Sequence, residues 1–326
     1  MVGNLSSLRG QERPVSLLRR YLSTGNVPPG LLFHGEEGIG KEKAALAFIA
    51  ALFCRRRTDD GACLDCHECR LVSSGAHPNL LRVSPENHFI QIDGIRRLKE
   101  ELSLKAFSDL PRAALVCPAD RMTLQAANAL LKTLEEPPPS THFVLVAHRL
   151  SQLPPTIVSR CQKIPFSTLP PEDVEDILRG LPEAGPRRSP GTIRAAAACA
   201  GGSPGRALLL LDGMEEERRV WAGLFSRLDP AGIGAAGEAW KKGGERQGQI
   251  AVPLSMIRDL ALLSSGGKAD IINDDFRDSL SAVAAGKTPY GWVRAFQALL
   301  SMSRLPPQAQ KRLALEAFLF CLHRKE

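Results

Sequence analysis

The chain has 326 residues, 44% of them apolar and 24% charged, which predicts a folded protein of roughly two or three domains. Its net charge of +7 suits a polyanionic partner and equally suits solvated basic faces. The longest apolar runs are shorter than the ~20 residues that span a bilayer, and the N-terminus lacks the apolar core of a signal peptide. We therefore expect a cytoplasmic protein without membrane contact.

Strand and helix patterns alternate from Gly30 to about Phe166. Short apolar runs such as "GLLFHG", "AALVCP" and "HFVLVAH" are separated by stretches of helical period such as "KEKAALAFIAALF" and "LQAANALLKTLEE". This pattern predicts an α/β domain with a parallel sheet over residues 1–166. A Pro-rich joint follows, and beyond it only helical spacing recurs, which predicts a small helical domain at 167–212 and an all-helical domain at 213–326. The Gly-rich stretch 231–248 is a predicted flexible connection within the last domain.

The stretch "GEEGIGKE" lies between a predicted strand and a predicted helix, which is the setting of a phosphate-binding loop. Its residues are Gly35, Glu36, Glu37, Gly38, Ile39, Gly40, Lys41 and Glu42. In such a loop, backbone N–H groups and the lysine face phosphate oxygens. The last position normally carries a hydroxyl that ligates Mg²⁺, and here it carries Glu42. ATP binding is therefore doubtful and ordinary Mg²⁺ coordination is not expected; weak binding of nucleotide without Mg²⁺ and a chance Gly-rich turn are the open alternatives.

A second departure follows the predicted strand "RAALVC". ATPases with a phosphate loop carry an Asp at the end of such a strand to position Mg²⁺, and many carry a neighbouring Glu that activates water. Cys117 and Pro118 occupy these positions, and we expect the nearby Asp120 to form a cap or a local salt bridge. Glu42, Cys117 and Pro118 thus affect the same chemistry, and we predict no intrinsic ATPase.

Four cysteines form a C-x8-C-x2-C-x2-C pattern that is typical of a structural zinc site. They are Cys54, Cys63, Cys66 and Cys69. His67 lies inside a two-residue spacer, where replacing one thiolate as a ligand is not expected. The remaining cysteines lie in apolar contexts, as buried small side chains do. A disulfide set is the alternative, and a cytosolic chain disfavours it.

The stretch "LPPTIVSRCQKIPF" follows the predicted strand "HFVLVAH" after a short Pro-containing loop. Alone, Ser159-Arg160-Cys161 is a weak signal, because most arginines are surface ion-pair partners. Together with "GEEGIGK", the four-cysteine knot and "NALLKTLEEPP" (residues 128–138), it resembles the AAA+ subunits of bacterial DNA polymerase III clamp loaders. The resemblance covers about residues 5–210, and "KRLALEAFLFCL" near the C-terminus is similar to the last collar helix of that family.

Within this family, the losses at the phosphate loop combined with a retained Ser-Arg-Cys resemble the non-hydrolysing, delta-prime type. The resemblance implies an AAA+ domain, a helical lid at 167–212 and a collar domain at 213–326. Arg160 would be an arginine finger that acts in trans on the ATP site of a motor subunit. The four cysteines would bind Zn²⁺. The implied partners are the motor subunits and the delta subunit in a pentamer, the sliding clamp, and primed DNA.

Two nucleotide-sensing positions depart from the family pattern. In "GSPGR", Arg206 stands one residue later than the sensing arginine of the motor subunits, and His148 stands where a polar sensor residue follows a strand. Their roles stay open.

Two other functions are alternatives. The chain would be an active gamma- or tau-like motor subunit if Asp120 replaced both lost carboxylates. It would be a zinc-knot regulator that binds nucleic acid if the phosphate loop were vestigial. A basic helix start with Arg96, Arg97 and Lys99 would contact DNA phosphates, or it would be a solvent face matched by Glu100 and Glu101.

Overall fold

The structure is a computed structural model that describes residues 3–104, 109–184, 188–226, 250–266, 270–302 and 311–323. The predicted Gly-rich connection 231–248 lies outside the described residues. The chain divides into two compact units, Met1–Pro170 and Pro171–Glu326. The boundary that we predicted between residues 212 and 213 falls within the second unit and stays a prediction.

A parallel sheet lies at the centre of the first unit. Its strands are β1 (Gly30–His34), β2 (Leu80–Val83), β3 (Arg112–Val116), β4 (Thr141–Ala147) and β5 (Gln162–Pro165). Their order is β2-β3-β4-β1-β5, and every neighbouring pair is parallel. The predicted α/β class with a parallel sheet is confirmed. We did not predict β5, because this edge strand buries only Ile164 among its four residues and has no apolar run.

Helices cover both faces of this sheet. They are α1 (Glu12–Thr24), α2 (Lys41–Phe53), α3 (His67–Ser74), α4 (Ile92–Ser103), α5 (Leu124–Glu135) and α6 (Pro155–Val158). Successive strand residues point to opposite faces, so Leu31 and Phe33 pack with α1, α2 and α3, whereas Leu32 packs with α4 and α5. A sheet that is buried on both faces needs continuous apolar strands, which leaves the strand ends for polar chemistry.

The two ends of the strands form two separate edges. Because all five strands are parallel, the phosphate loop, Cys117 and His148 follow carboxyl ends at one edge. Arg160 precedes β5, whose Gln162 lies opposite Leu31 of β1, so it belongs to the amino-terminal edge. Five strand residues at ~3.3 Å each separate the two edges by roughly 15 Å.

The described part of the second unit is helical. Its helices are α7 (Pro171–Arg179), α8 (Pro190–Cys199), α9 (Pro204–Ser226), α10 (Ala251–Ser264), α11 (Arg277–Ala284), α12 (Pro289–Met302) and α13 (Lys311–His323). The α9 backbone is broken at Asp212 and at Gly213, where φ is 80°. In the parts of both units that the structure describes, no helix combines the length and the apolar character needed to cross a membrane.

A buried polar network joins segments on both sides of the break in α9. The guanidinium of Arg218 is paired with Asp275, and it also donates to Thr192 Oγ1 of α8 at 3.3 Å and to Asn273 Oδ1 at 3.0 Å. Arg218 is only 1% exposed, so these partners supply the hydrogen bonds that water cannot. The network therefore fixes α8 against α9 within this unit.

Candidate nucleotide loop, metal knot and arginine edge

Glycines shape the predicted phosphate loop. Gly35 has a φ of 143°, and a Cβ there would come within 2.3 Å of the Phe166 carbonyl oxygen. Gly38 and Gly40 also have positive φ values, of 78° and 93°, and Gly40 is the N-cap of α2. The loop therefore turns sharply next to the end of β5. Residues other than glycine cannot adopt this backbone conformation without strain.

Lys41 is directed onto the backbone of its own loop. The side chain is 3% exposed, and Nζ donates hydrogen bonds to the carbonyl oxygen of Gly35, at 2.7 Å, and to that of Glu36. Burial lowers the pKa of this ammonium, and the negative charge of Asp120 partly opposes the shift. Two of the three ammonium N–H groups are therefore used within the loop.

Glu42 is held by groups at the same sheet edge. Arg82 of β2 donates to Glu42 Oε1 at 2.8 Å. Burial raises the pKa of the Cys117 thiol to about 12, and the charge of Glu42 and a hydrogen bond to it add to the shift. Cys117 is therefore a protonated thiol beside a carboxylate. Our sequence reasoning missed Arg82, whose signal was a lone charge inside the short strand "LLRV".

Asp120 connects two strand ends. Its Oδ1 accepts a hydrogen bond from the backbone N–H of His148 at 2.9 Å, which links the segments that follow β3 and β4. Burial and the charge of Lys41 lower the pKa of His148, so its imidazole is favoured in the neutral form. Its Nδ1 is buried and has no hydrogen-bond partner among the described residues.

The four cysteine thiols converge to one point. Their Sγ atoms all lie within 4.8 Å of one another. The distances are 4.0 Å between Cys63 and Cys69, 4.0 Å between Cys54 and Cys66, and 3.4 Å between Cys66 and Cys69. A tetrahedral zinc–thiolate centre with bonds of ~2.3 Å requires sulfur–sulfur separations of about 3.8 Å. The thiols therefore fit a closed centre with four sulfur ligands and can hold a metal ion.

Arg160 lies just after α6, at the amino-terminal edge of the sheet. Its Nε donates to Glu135 Oε1 at 2.5 Å, its Nη2 also contacts that oxygen, and its Nη1 donates to the Thr156 carbonyl oxygen at 3.0 Å. The side chain is 35% exposed. The next residue, Cys161, is buried against the start of β1, where a Cβ added to Gly30 would lie 3.2 Å from its Sγ. Cys161 thus anchors the motif while Arg160 stays at the surface.

Comparison with known proteins shows which family these features belong to. Residues 10–170 match the family described as "DNA polymerase III, delta subunit". The chain is 38% identical over 170 residues to DNA polymerase III subunit delta' of Bacillus subtilis, an alignment that covers 52% of this chain and 51% of that protein. It is 36% identical over 175 residues to subunit delta' of Pseudomonas aeruginosa, covering 53% and 52%. Residues 10–170 of this chain belong to the DNA polymerase III delta-prime family.

Membership of the delta-prime family rests on the first unit. The chain spans about half the length of the curated delta-prime relatives that it matches. A lower similarity, 28% over 204 residues, links it to subunit tau of Bacillus subtilis and covers 62% of this chain and 36% of that protein. The first unit has the parallel sheet, and the loop between β1 and α2, that the resemblance to AAA+ subunits implies.

Hydrogen bonding and burial shift the pKa values of the knot thiols in opposite directions. Backbone N–H groups of Asp65 and Cys66 lower the pKa of Cys63 to about 6, whereas burial raises the pKa of Cys54 and of Cys69. A bound metal ion would replace the protons of the buried thiols. Cys69 lies inside α3, because that helix begins immediately after Cys66. His67 is exposed and does not belong to the sulfur cluster.

A buried histidine contacts the helix that carries Cys69. His77 Nδ1 accepts from the Asn79 N–H at 3.1 Å, so Nε2 carries the proton and donates to Glu68 of α3 at 3.1 Å. The imidazole also stacks on Phe53 at the end of α2, with ring centroids 4.2 Å apart. Our sequence reasoning missed His77, which connects α2, α3 and the segment before β2.

The structure also describes the other residues that the sequence singled out. Arg206 is exposed near the start of α9, and its backbone N–H donates to Ser203 Oγ at 3.2 Å. On α4, Arg96 pairs with Asp93 at 3.1 Å and Arg97 pairs with Glu86. These contacts are those of a solvated helix face; sensing by Arg206 and DNA contact by α4 stay predictions.

Proposed function

We propose that this protein is a non-hydrolysing delta-prime subunit of the DNA polymerase III clamp loader, and that Arg160 acts in trans at the ATP site of an adjacent motor subunit. The observation that carries the proposal is the placement of Arg160 at the amino-terminal edge of the sheet. Its own phosphate loop lies at the opposite edge, roughly 15 Å away along β1. A guanidinium there is too far from its own loop to contact a nucleotide bound in it, which supports a role at a neighbouring subunit.

The absence of intrinsic hydrolysis is supported by the contacts at the phosphate loop. Glu42 is paired with Arg82, and Cys117 is a half-buried neutral thiol where the motor subunits carry a carboxylate. Asp120, the alternative carboxylate, accepts a hydrogen bond from the His148 backbone. In this arrangement, none of these three residues is available to activate water or to position Mg²⁺ in the ordinary way.

The chemistry proposed for Arg160 is stabilisation of charge. As the γ-phosphoryl group of ATP transfers to water, negative charge on its oxygens is stabilised by a planar guanidinium that donates two hydrogen bonds. Two of the five N–H groups of Arg160, one on each Nη, are left by its contacts to Glu135 and Thr156. These two groups supply a bidentate contact to the neighbour's nucleotide.

The assembly is inferred from family membership and from the resemblance described above. The proposed partners are motor subunits of the tau or gamma type and a delta subunit in a pentamer whose collar includes the C-terminal helices. This loader opens a sliding clamp and places it on primed DNA. Zinc is the metal that we propose for the cysteine knot, where four thiolates would leave no open position and the ion would be structural.

A loader reconstituted from the full-length chain, motor subunits and a delta subunit tests this function. Arg160→Ala should leave assembly intact and lower ATP hydrolysis stimulated by clamp and primed DNA. In GTPases, an arginine finger supplied in trans raises the hydrolysis rate about 10³–10⁵-fold at the site that it enters. The effect on total turnover of the loader should be smaller, because its other ATP sites continue to hydrolyse ATP. Arg160→Lys should restore little, because an ammonium lacks the planar fork.

The matched control is Arg19→Ala. Arg19 is 39% exposed and pairs with Asp60 at 2.7 Å, so it resembles Arg160 in exposure and ion pairing but lies on α1. An Arg160→Ala loader that assembles and loads clamps at the wild-type rate, at limiting and at saturating ATP, would contradict the finger. Hydrolysis of ATP by the isolated chain that Lys41→Ala abolishes would instead favour the motor-subunit alternative.

A further inference from the structure

Arg160 has one acidic partner in the described part of the chain, and that partner stands at an unusual place. Glu135 is the last residue of α5 and is 46% exposed. The carboxyl end of a helix carries partial negative charge, which disfavours an acidic side chain there. In this protein the guanidinium of Arg160 offsets the unfavourable placement of Glu135.

The contact fixes one edge of the guanidinium. Nε and Nη2, which lie on the same side of the planar group, both meet Glu135 Oε1. Nη1 is bound to the Thr156 carbonyl oxygen, four residues earlier in the chain, at 3.0 Å. An unconstrained arginine side chain has many rotamers. Fixing it in one rotamer costs conformational entropy, which opposes any contact that requires that rotamer. Glu135 and Thr156 together hold the group in one orientation.

We propose that Glu135 is a positioning residue for Arg160: its carboxylate pre-orients the guanidinium so that the two remaining Nη–H groups face a phosphoryl group of a nucleotide bound to the neighbouring subunit. This proposal rests on the proposed function of Arg160. Glu135 does not contact the nucleotide. It acts by lowering the entropy that Arg160 loses when it engages the phosphoryl group.

The test uses the reconstituted loader with clamp and primed DNA, and ATP as the probe. Glu135→Ala should lower the Arg160-dependent part of kcat by about threefold to tenfold, the factor that ordering one long side chain is worth. The KM for ATP should stay the same, because the finger engages most strongly when charge develops on the phosphoryl group. Glu135→Gln should retain most of the activity, since the amide oxygen still accepts from Nε.

The neighbouring residue provides a matched control. Glu136 is also acidic and exposed, caps the same helix, and forms no ion pair within the described residues. Glu136→Ala should behave as wild type, which separates positioning from a general change in surface charge. Combining Glu135→Ala with Arg160→Ala should give the same kcat as Arg160→Ala alone, because a residue that acts only through Arg160 has nothing left to position.

Three outcomes would overturn the positioning role while Arg160→Ala still lowers turnover. They are a Glu135→Ala rate equal to that of Glu136→Ala, a rise in kcat from relief of repulsion toward phosphate, or a Glu135→Ala loss that persists in the Arg160→Ala background. A wild-type rate for Arg160→Ala itself would instead remove the proposed function. Thermal melting of the isolated variants, expected to be unchanged, separates these results from misfolding.

Discussion

The charged side chains at the two ends of β1 differ in their contacts. At the carboxyl end, Lys41 is buried and bonded to loop carbonyl groups, and Glu42 is paired with Arg82. At the amino end, Arg160 is 35% exposed and keeps two N–H groups beyond its own contacts. A buried charge must be satisfied within the chain, whereas an exposed one can exchange water for a ligand. We call the end with Lys41 the closed edge, because its ammonium is bonded within its own loop, and the end with Arg160 the open arginine edge, because two N–H groups stay at the surface.

The largest expected effect concerns the cysteine knot, which follows the end of α2 that lies away from the phosphate loop. The purified protein should contain about one equivalent of zinc, and Cys66→Ser should remove it. Loss of a metal is among the few changes that lower the free energy of unfolding by more than about 4 kcal/mol. Denaturant titration should show this loss, while circular dichroism in buffer stays similar because the sheet has its own core. Zinc-free protein with four freely titratable thiols would contradict the site.

Hydrogen exchange would locate the effect of zinc removal. Because Cys54 follows α2 and Cys69 lies in α3, amides of these two helices should lose protection first. Amides of α5, beside Arg160, should change little. Equal loss in all three helices would show that the two faces of the sheet, with α2 and α3 on one and α5 on the other, are not independent.

A pair of glycine substitutions compares the edges directly. Gly35→Ala should lower the free energy of unfolding by about 3 kcal/mol, because its positive φ is strained and its Cβ would meet the Phe166 carbonyl oxygen at 2.3 Å. Gly30→Ala, with contacts of 3.2 Å to the Arg160 carbonyl oxygen and to Cys161, should lower it by about 1 kcal/mol. In the loader, however, the milder Gly30→Ala should reduce turnover more, since it displaces Arg160. The reverse ranking of turnover would count against an open arginine edge.

Lys41→Ala separates stability from catalysis at the closed edge. Removing the ammonium leaves the Gly35 and Glu36 carbonyl groups without their donor, which should lower the free energy of unfolding by about 2 kcal/mol. Turnover of the assembled loader should stay nearly unchanged, because no hydrolysis is assigned to this loop. A large fall in turnover with assembly intact would mean that the loop does more than support the fold.

The smallest effect is on thiol reactivity at Cys117. Burial and the Glu42 charge raise its pKa to about 12, so alkylation at pH 8 should be more than about 100-fold slower than that of the exposed Cys321. Glu42→Gln removes the negative charge, lowers the pKa of Cys117 and should speed its alkylation, as followed by peptide mass spectrometry. An unchanged rate would show that Glu42 does not face this thiol.

Short-range patterns in the sequence predicted much of the fold and part of each site. The strands β1 to β4, the helix after the phosphate loop and the cysteine knot depend on residues close together in the chain. β5 was missed because an edge strand with exposed Gln162 and Lys163 has no apolar run. The string "NALLKTLEEPP" contained Glu135, but nothing in its spacing paired that residue with Arg160, which is 25 positions away.

By itself, the sequence determined the loop "GEEGIGKE", the knot ligands and the loss of carboxylates after β3, because residue type and short spacing fix those features. Only the tertiary structure decided which charges meet. Strand order brings Arg82 to Glu42 across 40 residues, and it places Arg160 at the opposite end of β1 from Lys41. The physical reason is that hydrophobic periodicity fixes the elements and their buried faces, whereas a contact between polar side chains depends on the strand order and register that packing selects.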